Sequence, residues 1–169
     1  MKLGIVALVG LLWFGACDKN KAPAAKDWKE RSGPGFTVQS PLPHEMMSAP
    51  PGTPVKMTIY SYLNKVTEAW QVQIADMPEE LPPEQILANM TAHLRGKGEI
   101  KSETDVTMGD GAKDFRYVSD MPQIGRMYVR VRVVIKNHKA YQIMVLHRPE
   151  DTGRDADADR FVDSFKLTN

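Results

Sequence analysis

Residues 125–136 constrain the fold more than any other stretch of the chain. Met127, Val129, Val131, Val133 and Ile135 alternate with Arg126, Tyr128, Arg130, Arg132 and Lys136. Side chains of a strand point to opposite faces at each step, so this segment predicts a long strand with one face in a core. The other face carries a basic stripe of Arg126, Arg130, Arg132 and Lys136, a candidate surface for an acidic partner or phospholipid headgroups. A second reading of that stripe is a solvated face, or one answered by carboxylates of a covering helix.

The neighbouring segments extend the sheet. Asn137-His138 reads as a tight turn into a strand over 140–146, which is apolar on both sides, as a sheet covered on both faces requires. Whether that turn holds two or three residues decides which side of the strand meets the valines, and both registers are open at this level. Upstream, 36–39 is a short strand stopped by Pro41 and Pro43, and 55–63 with 70–74 form an antiparallel hairpin. Residues 100–108 and 113–118 are two further strands joined through Gly109-Asp110-Gly111.

Two helices complete the pattern. Pro82-Pro83 opens one in which Ile86, Leu87, Met90 and Leu94 share a side, with Gly96 and Gly98 beyond its end. Ala158, Phe161, Val162 and Phe165 form the stripe of the other. The expected fold class is α+β, with a mainly antiparallel β-sheet and helices packed on it.

The N-terminal region has a different character. Lys2 precedes a twelve-residue apolar run from Leu3 to Phe14, then Gly15-Ala16-Cys17. That run is short of the roughly 20 residues a transmembrane helix needs, and it has the charge, length and small-residue end of a secretory signal. Phe14-Gly15-Ala16-Cys17 resembles the lipobox of bacterial lipoproteins, with Phe14 where leucine is commonest. The resemblance implies a signal peptide over 1–16 and a diacylglyceryl thioether on Cys17, with acylation of the new N-terminus. Cys17 is the sole cysteine, so no disulfide can form within the chain. Asp18 resembles an inner-membrane retention signal and favours the outer leaflet of that membrane over the outer membrane. Residues 17–35 read as a flexible tether rich in Lys, Ala, Pro and Gly, with Trp28 able to dock, and residues 36–169 as the domain.

The order of elements, with its landmarks, resembles the Mog1/PsbP-like superfamily, which includes PsbP-like and DcrB-like lipoproteins. The carriers are Gly35-Phe36-Thr37-Val38 running into Pro41, Gly109-Asp110-Gly111-Ala112-Lys113-Asp114-Phe115, Arg130-Val131-Arg132-Val133-Val134 with Ala140-Tyr141-Gln142-Ile143, and Arg160-Phe161-Val162-Asp163-Ser164-Phe165-Lys166-Leu167. The resemblance implies an α/β/α sandwich used as a binding or assembly-support module and not as an enzyme.

Chemistry-bearing motifs are sparse. Asp155, Asp157 and Asp159 imitate the start of a calcium loop, but Arg160 stands at its glycine and Lys166 at its closing glutamate, so the aspartates read as helix-start residues. His44 with Met46 and Met47 would suit a soft metal, whereas Met57, Met90, Met127 and Met144 fall at core positions. His93, His138 and His147 lack zinc-like spacing, and no nucleophile elbow is present. Cleavage before Cys17 removes only Lys2 among the charges, which leaves 21 basic and 21 acidic side chains and no global reason for nucleic-acid binding.

The expectation is therefore a lipid-anchored, non-enzymatic binding or assembly-support module of the cell envelope. It needs no cofactor or metal, touches the membrane through Cys17 and meets an envelope protein. The alternatives are a periplasmic carrier of a small apolar ligand, lipid or metal, and a hydrolase or isomerase with a site assembled from scattered residues such as His44, Glu45 and His147.

Overall fold

A computed structural model describes residues 27–48, 55–65 and 67–168. Cys17, the signal segment and most of the tether lie outside the described residues. Ten strands and two helices follow in the order β1 (Lys29–Gly33), β2 (Phe36–Ser40), β3 (Glu45–Ser48), β4 (Met57–Lys65), β5 (Glu68–Asp76), α1 (Pro83–Arg95), β6 (Glu99–Val106), β7 (Gly111–Met121), β8 (Gly125–Lys136), β9 (Lys139–His147), α2 (Asp155–Asp163) and β10 (Lys166–Leu167). Seven strands form one sheet in the order β3-β4-β5-β9-β8-β7-β6, and β1-β2-β10 form a second. Every pairing is antiparallel. The α+β expectation holds.

The alternation in β8 sorts the molecule into layers. Met127, Val129, Val131, Val133 and Ile135 are fully buried and pack with Ile86, Met90 and Leu94 of α1. On the other face, Val134 joins Tyr141, Ile143 and Val145 of β9 beneath Ala158, Phe161, Val162 and Phe165 of α2 and Phe36 and Val38 of β2. The large sheet is thus covered by α1 on one side and by α2 with the small sheet on the other, which is why β9 carries apolar residues on both faces.

The hairpin between β8 and β9 has two central residues, since Lys136 pairs with Lys139. Asn137 and His138 both adopt positive φ, 49° and 53°, as a type I′ turn requires. This register places the β8 valines on the same face as Ala140, Met144 and Leu146. Asp110, between β6 and β7, accepts the Asn137 backbone N–H at 2.9 Å, and that bond, ahead of one from Lys136, holds its carboxyl below the usual range.

Rings fill the α2 layer. Phe161 lies 5.3 Å from Tyr62 and 5.6 Å from Trp70 between centroids, and Phe165 lies 5.7 Å from Phe36 and 5.9 Å from Tyr141. Truncating Phe161 to alanine would cost about 3–5 kcal/mol in lost burial and cavity formation.

The structure corrects the boundary of the tether. Residues 29–33 were expected to be linker, yet they pair with β2 through the Pro34-Gly35 turn. Gly35 has φ +76°, and a Cβ there would come within 2.8 Å of the Tyr141 hydroxyl, so the turn depends on glycine. Trp28, just ahead of β1, stacks on Trp70 at 5.6 Å, with the Arg160 guanidinium 4.5 Å from its ring centre. Among the described residues the packed domain therefore already includes Trp28 and β1, ahead of Phe36. β3 and β10 are also additions to the expected elements: four and two residues long, they are strands only because β4 and β2 provide ladders for them.

Candidate functional site

The basic stripe of β8 divides into a buried centre and two exposed ends. Arg126 is half-exposed and pairs with Glu99 at 3.3 Å and Asp120 at 3.7 Å. Lys136 meets Asp110 at 3.3 Å. Arg130 and Arg132, by contrast, are only 3% and 7% exposed. The expectation that these four residues form one partner or headgroup surface is overturned at its centre, because α2 lies across it.

Asp114 of β7, opposite Arg132 in the register, is the hub of that centre. Arg130 donates to it through Nε at 3.3 Å and Nη2 at 2.9 Å, and Arg132 through Nε at 3.2 Å and Nη2 at 2.7 Å. Asp159 and Asp163 come down from α2. Arg130 reaches Asp159 at 2.7 Å and Asp163 at 2.7 Å, and Arg132 reaches Asp163 at 2.7 Å and the Val162 carbonyl at 3.0 Å. Arg116 adds a contact to Asp159 at 2.9 Å and donates to the Tyr128 hydroxyl at 3.1 Å. Arg116, Arg130 and Arg132 are thus balanced by Asp114, Asp159 and Asp163.

This balance shows in the acidities. Burial works against the Arg130 charge, but hydrogen bonds to Asp114 and Asp163 outweigh it and raise its pKa. Burial likewise pushes the Asp163 carboxyl up, and the bonds from Arg130 and Arg132 overcome it, so the net displacement is downward. A charge-balanced, hydrogen-bonded cluster, with Asp114, Arg130 and Arg132 buried and Asp159 and Asp163 at its partly exposed rim, is chemically quiet. Its effect is to fix α2 in register on the sheet.

The other candidates also resolve into packing. The calcium-like aspartates face side chains of the protein: Asp155 lies 3.2 Å from Nε2 of His147, Asp157 lies 3.7 Å from Arg154, and Asp159 belongs to the cluster. Arg154 also approaches Glu68 at 3.6 Å, and Glu68 accepts the Trp70 indole N–H at 3.1 Å. His44 sets its ring edge-on to Tyr60 and Tyr62, Met47 packs near Met57 and Ile59, and Met46 is exposed. The residues of the hydrolase alternative are not brought together. His44 and Glu45 flank the start of edge strand β3, whereas His147 is on β9, three strands away or about 14 Å at ordinary strand spacing.

At its centre the stripe is answered by carboxylates of a covering helix, the second reading of the sequence, but neither the acids concerned nor the seat of Trp28 was named there. Asp159 and Asp163 are four residues apart on one helix face, a spacing that matches the arginine pair on the strand. The clamp on Trp28 had no local signal, because Trp70 and Arg160 are remote in sequence. Among the described residues, no helix is long and apolar enough to cross a membrane.

No protein-family model and no curated protein matches the chain. Among solved structures it is similar to the cyanobacterial PsbP (CyanoP) of Synechocystis sp. PCC 6803, with a TM-score of 0.60 over 91% of this chain and 98% of that one at 12% identity. Two looser matches are LpqN of Mycobacterium tuberculosis, involved in cell envelope biogenesis, and protein PA94 of Pseudomonas aeruginosa, a putative regulator. LpqN has a TM-score of 0.44 at 14% identity, covering 88% of this chain and 83% of that one; PA94 has 0.42 at 10%, covering 78% and 90%. The two helices and mainly antiparallel sheets of this chain make up a PsbP-like α+β fold.

Proposed function

We propose that the chain is a lipid-anchored, non-enzymatic binding or assembly-support module of the cell envelope. The observation that carries the non-enzymatic part is the Asp114–Arg130–Arg132–Asp163 cluster. It joins the buried charges of β7 and β8 to the partly exposed Asp163 of α2 in a clamp whose donors and acceptors are turned on one another. The anchor rests on the lipobox-like end at Cys17. Eleven residue steps separate Cys17 from Trp28, which is docked on Trp70, so that span can reach at most about 40 Å. The anchored domain therefore stays within a domain's width or two of the membrane and acts on neighbours in the same layer.

The carrier alternative finds less support. The layer between the large sheet and α2, where an apolar ligand would be expected to sit, is occupied by Phe36, Tyr62, Trp70, Phe161 and Phe165 in mutual contact.

The test is crosslinking in intact envelopes with the wild type and Cys17→Ala. The reading expects the same envelope protein to be recovered repeatedly with the wild type and lost with the folded, unanchored variant. Repeated recovery of no partner would contradict it.

A further inference from the structure

Met46 of β3 is the one large apolar side chain that stands exposed among the described residues, at 71%. It lies opposite Tyr60 in the ladder with β4, and Met47 lies opposite Ile59. Tyr60 belongs to the core beneath α2 and Ile59 to a small cluster on the other face of the sheet. The alternation therefore puts Met46 on the α2 side and Met47 on the opposite one.

His44, two residues before Met46, is on the α2 side as well. Its ring lies 5.1 Å from that of Tyr60 and 5.4 Å from that of Tyr62 between centroids, edge-on to both. Packing accounts for the ring but not for its nitrogens. Among the described residues neither nitrogen takes part in a hydrogen bond or ion pair, and neither is sealed from solvent. Residues i and i+2 of an extended segment are about 7 Å apart along the chain, and a thioether on three rotatable bonds spans that interval to meet an imidazole nitrogen. An imidazole clamped by two tyrosines and an unpacked thioether thus share one open face.

The donor set selects the ligand. No three His, Cys, Asp or Glu side chains among the described residues are grouped to hold a metal ion, so Zn2+, which fills its shell with such ligands, has no match here. Thioether sulfur is a soft donor that selects Cu(I), and imidazole also suits copper. We propose that His44 and Met46 form a two-ligand site for a soft monovalent cation, Cu(I). Met47, on the opposite face, takes no part. The exposure of Met46 leaves the ion open to exchange with solvent or with another protein. The site does not depend on how the chain is anchored.

The test uses the full chain in detergent, carrying Cys17→Ala so that no thiol competes for the ion, with 13C-labelled methionine methyl groups. Cu(I) is titrated under argon, with Zn2+ as the comparison. The Met46 methyl resonance, identified by its loss in Met46→Leu, should shift saturably at one Cu(I) per chain and stay in place with Zn2+. His44→Phe keeps a ring against Tyr60 and Tyr62 and removes both nitrogens. Without metal it should melt with its parent, yet its half-saturation by Cu(I) should rise about tenfold or more. A Met46 shift that never saturates, equal midpoints in His44→Phe and its parent, an equal response to Zn2+, or a Cu(I) response confined to other methionines overturns the proposal. Should His44→Phe fail to fold, Met46→Leu reads the same site through the His44 ring proton, and an unchanged Cu(I) midpoint there overturns it as well.

Discussion

Asp114→Asn removes one charge from the centre of the cluster with almost no change of shape. Asp114 is the acceptor for four N–H groups of Arg130 and Arg132, and its side chain is only 8% exposed. In the variant an amide NH2 faces two guanidinium groups, and three arginines are left with only Asp159 and Asp163. Removing one partner of a buried ion pair costs about 3–5 kcal/mol, a large part of the total stability of an ordinary domain. For a chain of this size that corresponds to a fall in Tm of about 10–15 °C. Asp159→Asn is the control: its side chain is 40% exposed, water can replace it, and its loss should cost about 1 kcal/mol or less. Replacing Asp114, Arg130 and Arg132 together by leucine and methionines should restore most of the loss, because the desolvation cost disappears with the charges. Urea unfolding followed by circular dichroism reads all three, with midpoints moving and slopes constant. Should Asp114→Asn lie within about 1 kcal/mol of the wild type, or cost no more than Asp159→Asn, the clamp is not what holds α2.

Trp28→Ala should cost about 1–2 kcal/mol through the lost stack on Trp70 and the lost Arg160 contact. It should also speed amide exchange in β1, and an unchanged urea midpoint would refute the docking. Asp163 has a lowered folded-state pKa, so its contribution is present above about pH 4 and is lost as pH falls through the folded value. Unfolding free energy should drop below that pH in the wild type and less steeply in Asp163→Asn; parallel curves would refute the assignment. Burial pushes Tyr117 up to about 12, so its neutral form is favoured by the fold, and this stability is lost as pH rises from the ordinary tyrosine value to about 12. The last phenolate absorbance should appear together with loss of circular dichroism, and full titration with the fold intact would count against this burial.

Much of the frame could be read from residue order, because β8 and the two helices carry strong periodicities of two and of 3.6, and β9 is a short apolar run beside a turn signal. What periodicity could not supply was the cover on each face. The alternation in β8 separates Arg130 and Arg132 from the valines, but whether those arginines meet water or Asp159 and Asp163 depends on where α2 lands some 30 residues later. The same limit hid β1: a short Lys29–Gly33 segment is a strand only because Phe36–Ser40 is beside it. The register at Asn137-His138 needed backbone angles, because two- and three-residue turns are both compatible with that dipeptide.

The central claim, a domain held at the membrane by Cys17, is tested most directly by the intact mass and detergent partitioning of the bacterially expressed chain beside Cys17→Ala. The account predicts a wild-type chain that begins at Cys17, carries the mass of two or three acyl chains and enters the detergent phase, with all three properties lost in the variant. An unmodified wild type that stays in the aqueous phase would contradict it.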